Sequence, residues 1–332
     1  MDRAIAVIGA TSSIGIRPYE DGVPRHLDRA AGVLRERGVV DRIHAIDLGD
    51  VEPPPYRDYV RPPRRARNEA EVITYSRAVA ERVAIASAYG RFAVVLGGDC
   101  SVVLGCLLAA KHNGDPVGLA YIDAHADFAT PEESMTGSVA SMALGLATGR
   151  GESPLARLGG RTPLVDGKHV ALVGRRDAGD GWYGHEALAR SPILDLPHSD
   201  LVPQDFSYLA AAALTRVAAP NVRGFWVHFD VDVLNPAVMS AVDSPEPGGP
   251  TPRELAILLA PLVRHPRALG LSVTIYDPAL DADRSCARQL VNLLEQVLAA
   301  TEPLADVRSR TRGADAPPLR QRGRTHSRRW AD

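Results

Sequence analysis

Cysteine is scarce in this 332-residue chain, with Cys100, Cys106 and Cys286 as its only three. They are too few and too scattered for a disulfide framework, and no Cys-x-x-Cys pair or Cys/His finger spacing accompanies them. A reducing, cytoplasmic setting is the expectation that fits. Net charge is also small: 38 Lys and Arg against 40 Asp and Glu give −2. Phosphate neutralisation needs a sustained basic face, so the balance argues against a nucleic-acid partner and favours a small molecule. Long apolar runs are missing too. The opening MDRAIAVIGA turns polar and glycine-rich after a few hydrophobic residues, so it lacks the core of a signal peptide, and no later stretch reaches transmembrane length. The reading is a soluble, unexported chain with no membrane partner and no internal repeat.

What is present is 45% hydrophobic and 23% charged residues, enough for one large α/β domain or two small ones. Short apolar runs recur at 4–9, 92–98, 117–123, 170–174, 224–232 and 268–276. Runs this short, β-rich and free of polar interruptions are expected to be strands buried on both faces, as in parallel sheets. Amphipathic helices are expected between them at 68–89, 206–217, 251–263 and 282–299. The third opens on Thr251-Pro252-Arg253-Glu254, with an N-cap, a proline at the first helical position and a glutamate at the third. The alternation predicts a three-layer α/β/α domain with a central, mostly parallel sheet over residues 1–306. Prolines at 51–65 mark a surface loop, and 307–332 reads as an arginine-rich, solvated and disordered tail.

One glycine motif near the start misleads. Gly9-Ala10-Thr11-Ser12-Ser13-Ile14-Gly15 follows a strand as a dinucleotide-binding turn would, yet it lacks the middle glycine that lets backbone approach a pyrophosphate. Dehydrogenases of the short-chain type also place a tyrosine four residues before a lysine. The chain's only lysines, Lys111 and Lys168, have leucine there. The stretch reads as an ordinary strand-to-loop turn.

Ligands of parallel sheets sit at the carboxyl ends of the strands, and two such ends here are dense in metal-binding residue types. Asp123-Ala124-His125-Ala126-Asp127 closes one run, and Asp230-Val231-Asp232 closes another. If these stretches are extended, alternate side chains share a face, so each set can converge. Five ionisable groups left bare on neighbouring strand ends would repel and lose hydration. A divalent cation removes the conflict, and an oxygen-rich set suits Mn²⁺, Mg²⁺ or Fe²⁺ better than a structural zinc. A lone aspartate at such a place is ordinarily a cap or turn former; two separate clusters favour a functional site.

GGDCS, DAHAD and HFDVDVLNP followed by SPEPGG, in this order and spacing, resemble the signatures of the ureohydrolase superfamily, which contains arginase, agmatinase and formiminoglutamase. The resemblance implies a three-layer α/β/α fold, a binuclear manganese centre and a homotrimer or homohexamer. It carries the family's metal ligands onto Asp123, His125, Asp127, Asp230 and Asp232, and it places Cys100 where the family has a sixth, histidine ligand. It further implies that a hydroxide bridging two Mn²⁺ ions attacks a guanidino or formimino carbon, with Asp127 passing a proton to the leaving amine and urea or a related amide as product.

Several family positions are changed. The loop that usually reads SGNxHG is Thr136-Gly137-Ser138-Val139-Ala140-Ser141, so asparagine becomes Ser138 and a proton-relaying histidine becomes Ala140. A second asparagine corresponds to Ala129. The glutamate that holds a guanidinium aligns with Ile275, which makes arginine itself a poor substrate. Glu246 and Asp277 are nearby carboxylates that could compensate, against an ordinary role in turns or at the surface. The neighbouring hydroxyl survives as Ser244. His228, where the family usually has serine, could act as an acid/base group, orient a ligand, or be a hydrogen-bonded core histidine.

Cys100 has three readings: a thiolate ligand that softens one metal site toward Zn²⁺, Fe²⁺ or Co²⁺, a neutral thiol that leaves a one-metal enzyme, or a nucleophile. Cys106 and Cys286 read as small core residues, and Asp99 as a turn residue or one that braces the site. Two functions are carried forward. One is a metal-dependent hydrolase of linear amidines; the other is an impaired relative serving as an oligomeric scaffold or regulatory subunit.

Overall fold

Burial on both faces decides which apolar runs become strands. In the computed structural model, which describes residues 3–19, 22–111, 114–160, 163–179, 184–199 and 204–299, every residue of the runs VGLAYI and GFWVHFD is buried. The described strands are β1 (Ile5–Ala10), β2 (Ala45–Val51), β3 (Phe92–Leu96), β4 (Val117–Ile122), β5 (Val170–Val173), β6 (Leu194–Leu196), β7 (Gly224–Asp230) and β8 (Ala268–Thr274). They form one sheet in the order β2-β1-β3-β8-β7-β4-β5-β6, and every pairing is parallel. The expected α/β/α class holds.

The helices are α1 (Ala30–Glu36), α2 (Val39–Arg42), α3 (Glu69–Ala88), α4 (Val102–Ala110), α5 (Ala143–Ala147), α6 (His185–Ala189), α7 (Phe206–Val217), α8 (Pro252–Arg264) and α9 (Ser285–Leu298). Helices α3, α4 and α5 pack side by side on the sheet, while α7, α8, α9 and α1 make a second row. The four helices expected from periodicity are α3, α7, α8 and α9, with slightly shifted ends. Thr251 and Glu254 form the reciprocal capping box that opens α8, worth about 1 kcal/mol. The buried Cys106 and Cys286 are core residues, as expected. The expected tail at 307–332 lies outside the described residues.

Edge strands β2 and β6 were not expected. In β2, Ile46, Asp47, Gly49 and Asp50 are exposed, and β6 is only three half-buried residues long. Neither presents the continuous apolar run by which central parallel strands are read.

Register matters for the site. Leu96 pairs with Val273, Val273 with Phe229, and Phe229 with Ile122, so the loops after β3, β8, β7 and β4 open along one rim. At the first of these the chain turns through Gly98, whose φ is +83°; a Cβ there would lie 2.6 Å from Val102 Cγ2 and 3.0 Å from the Ala10 carbonyl. That turn sends Asp99 back and Cys100 onto the rim.

Candidate metal centre and its pocket

Of the four acids and one imidazole expected at two strand ends, Asp123, His125, Asp230 and Asp232 fall into close ligand groups and Asp127 lines the same cavity, but not by strand alternation. The chain leaves the extended state at Ile122, and Asp123 Oδ1 accepts from the His125 amide at 2.6 Å. Asp127 sits at φ +46°, a left-handed conformation that Asp tolerates better than most residues. After β7, Asp230 Oδ1 accepts from the Asp232 amide at 2.9 Å. The convergence is made by two carboxylate-capped turns, which corrects the extended-strand expectation.

Among the described residues, ligand-type atoms fall into two groups whose members lie within 4.8 Å of one another: Cys100, Asp123, His228 and Asp230 in one, and Asp123, His125 and Asp232 in the other. Asp123 belongs to both. Cys100 Sγ donates to Asp230 Oδ2 at 2.7 Å. His125 Nδ1 is 3.0 Å from Asp232 Oδ2 and 3.6 Å from Asp123 Oδ1. Asp127 joins neither group; its Oδ2 accepts from the Tyr121 hydroxyl at 2.5 Å.

Burial strains these charges. It raises Asp123 to about 7, with Asp232 adding to the rise. Burial also lifts Asp127, with help from Asp123, and Asp230, with help from Asp232. The Cys100 thiol is pushed well above its ordinary range by burial and then by Asp230. Burial disfavours the His125 imidazolium, yet the facing Asp232 carboxylate raises it well above its usual value, and the same pair lowers Asp232 against its own burial. One oxygen, Asp123 Oδ2, is buried without a hydrogen-bond partner. A carboxylate that belongs to both tight groups and has one orphaned oxygen is what divalent cations would satisfy, and the donor set fits them.

Above these groups lies a cavity of about 260 Å³, lined by Cys100, His125, Asp127, Asp230, Asp232, Ser138, Ser141, Ser244, Ile275 and Arg25 among others. Ser138 Oγ accepts from the Arg17 amide at 3.1 Å, and Ser244 Oγ donates to Asp243 Oδ2 at 3.1 Å. Glu246 does not line the cavity; its Oε1 lies 3.6 Å from His125 Nε2, and that contact holds its carboxyl below the usual range. Asp277 is likewise turned away, accepting from the Tyr19 hydroxyl and from the His26 and Ala279 amides. Asp99 is a buried turn acceptor, tied to the Gly15 and Ser101 amides.

Against this pocket and its two ligand groups, the comparisons with known proteins are decisive. The family model described as Arginase family matches residues 3–300. The chain belongs to the arginase family. It is 26% identical over 299 residues to the arginase of Staphylococcus aureus strain COL, covering 88% of this chain and 96% of that one. The structure of arginase from Bacillus caldovelox superposes with a TM-score of 0.79 at 25% identity, over 91% of this chain and 99% of the other. Proclavaminate amidino hydrolase from Streptomyces clavuligerus shares the fold at TM-score 0.64 and 18% identity, covering 89% and 90%.

Within this arginase-family frame, His228 stands apart. It is fully buried and does not line the cavity. Its ring stacks on Tyr121 with centroids 4.4 Å apart, Nδ1 lies 3.0 Å from Ser272 Oγ, and Nε2 lies 3.5 Å from Thr274 Oγ1. Burial lowers it to about 3. Its ring is therefore expected to stay neutral between pH 8 and pH 5 in metal-free protein, read from its ¹⁵N shifts by NMR; a ring that gains its proton above pH 5 would contradict this environment.

Proposed function

We propose that this arginase-family chain is a metal-dependent hydrolase of a linear guanidino or formimino compound. The observation that supports it is the sharing of the orphaned Asp123 carboxylate between two ligand groups at the floor of a cavity. Cys100, Asp123 and Asp230, with His228 behind them, would hold one ion; Asp123, His125, Asp230 and Asp232 would hold the other, with Mn²⁺ as the family's metal. Such ions supply a nucleophile at neutral pH and stabilise the charge that develops on the reacting carbon.

The chain's own residues do the rest. Asp127 faces the cavity with Oδ2 held by Tyr121, so it is placed to carry a proton to the leaving nitrogen. Ser138 and Ser244 offer hydroxyls along the wall. Ile275 takes the place from which the family grips a guanidinium, so plain arginine is expected to be poor. His228, away from the cavity, is a positioning or metal-holding residue rather than one that touches substrate. Assembly as a homotrimer or homohexamer belongs to the same reading. A test is release of urea from guanidino compounds and of formamide from formimino compounds, with added Mn²⁺. Turnover of at least one supports the reading, and none at all, with no metal retained, would favour the scaffold alternative.

Cys100 gives a separate expected result. Loaded with Co²⁺, the wild-type protein should show a sulfur-to-cobalt charge-transfer absorption that Cys100→Ser abolishes, since a bound metal strips the thiol of its proton. An identical spectrum in both proteins would remove sulfur from the ligand set.

A further inference from the structure

One buried charge in the cavity has no part in that chemistry. Arg25 is 9% exposed and shares the cavity wall with Cys100, Asp127 and Ile275. Its guanidinium carbon lies 4.2 Å from the centre of the Tyr19 ring. Its Nη1 donates to the Arg17 carbonyl, and its Nη2 is 3.3 Å from Asp243 Oδ2. Its Nε–H has no acceptor. Nε–H and one Nη–H project from the same edge of a guanidinium and match the two oxygens of a carboxylate. The edge that could bind an acid therefore still has an open donor, held rigid by the stack and the Arg17 carbonyl.

The rest of the pocket agrees. Among the described residues, the one lining carboxylate outside the two metal-type groups and Asp127 is Asp243, and it is already paired with Arg25. A purely cationic substrate would meet Arg25 and the apolar Ile275 with no free partner. We propose that Arg25 receives a carboxylate of the substrate, so that the molecule hydrolysed is a small linear acid bearing the amidine at its far end. The cavity, below the usual 300–1,000 Å³ of larger ligand pockets, suits such a chain. This inference rests on the cavity being the substrate pocket of the proposed hydrolase.

Binding to the metal-loaded protein, measured by calorimetry, tests it with two probes of matched length: valerate and n-butylguanidinium. Valerate should bind the wild type more tightly than the cation does. Arg25→Met should weaken valerate roughly ten- to hundredfold, the ordinary loss for a charge-assisted pair. Arg25→Lys should recover only part, because an ammonium lacks the fork. Asp243→Asn, which frees Arg25, should tighten valerate; a merely structural Arg25–Asp243 pair would leave valerate unmoved. The double variant Arg25→Met/Asp243→Asn, with no buried unpaired acid, checks that any loss is not misfolding. Valerate binding equally well without Arg25, or butylguanidinium binding better than valerate, overturns the proposal. Arg25-dependent valerate binding without hydrolysis of any amidine would uphold this subsite and sink the reaction, whereas hydrolysis with Arg25-indifferent binding would do the reverse.

Discussion

Replacing Asp123 with asparagine should make the metal-free protein more stable and the metal-treated protein inactive. Asp123 is buried, carries an orphaned oxygen, faces Asp232, and is raised to about 7. At pH 8 it is ionised at a cost on the order of 4 kcal/mol relative to the unfolded chain. Asparagine keeps an oxygen for the His125 amide, removes the charge and brings an amide donor to Asp232. A melting temperature several degrees higher under chelation is the expected result, read by differential scanning calorimetry. With Mn²⁺ the order should reverse, because Asp123 is the member common to both ligand groups. The wild type should gain stability by mass action and the variant almost none. Turnover of any amidine found to be hydrolysed should fall by roughly a thousandfold or more. A variant that is less stable without metal would mean that the cluster is a structural network and not a site waiting for cations.

The metal-free protein should also lose stability as pH rises, over a range where most proteins are level. Asp123, Asp127 and Asp230 are raised by burial and by one another, and His125 is raised by Asp232. A group whose folded value lies above its unfolded value binds its proton more tightly in the native state. Its stabilisation is complete below the unfolded value and disappears as pH climbs through the folded one. For Asp123 that window runs from its ordinary value of 3.8 to about 7. Asp232 is lowered, so its contribution has the opposite sign, but it changes only as pH falls below its ordinary range. Denaturant melts under chelation should therefore show a net fall of a few kcal/mol between pH 5 and pH 8. Added metal should cancel it, since cations bind the deprotonated ligands and gain affinity with pH. Chelated protein that becomes more stable across this window would contradict the electrostatics described here.

Legibility in the sequence followed how locally each feature is encoded. DAHAD and FDVD each pack their ligands into five residues or fewer at the end of an apolar run, so both the strands and the cluster could be read. The geometry that unites them could not, because it depends on the turns at Asp123 and Asp230 and on an unusual φ at Asp127. His228 was visible as an odd residue on a core strand, but whether it faced substrate or metal depended on the stack with Tyr121 and on Ser272 from the neighbouring strand. Arg25 and Asp243 were missed altogether. Each lies in an irregular loop with no periodicity to mark it, and they meet only because the loops after β1 and β7 close over the same rim. Strands β2 and β6 were missed for a related reason, since an edge strand need not be apolar throughout.

Ile275 holds an unusual backbone conformation at the edge of the pocket. Its φ is +68°, an outlier for a β-branched side chain that costs on the order of 1–3 kcal/mol. Its amide is bonded to the Gly98 carbonyl at 3.0 Å. The turn puts a side chain without charge on the cavity wall.

Everything proposed for the chemistry depends on the two ligand groups holding metal. The direct measurement is elemental analysis of protein loaded with Mn²⁺ or Zn²⁺ and then desalted, for the wild type and Asp123→Asn side by side. Close to two ions per wild-type chain and essentially none in the variant is the predicted result; a wild-type chain that keeps no metal at all would contradict it.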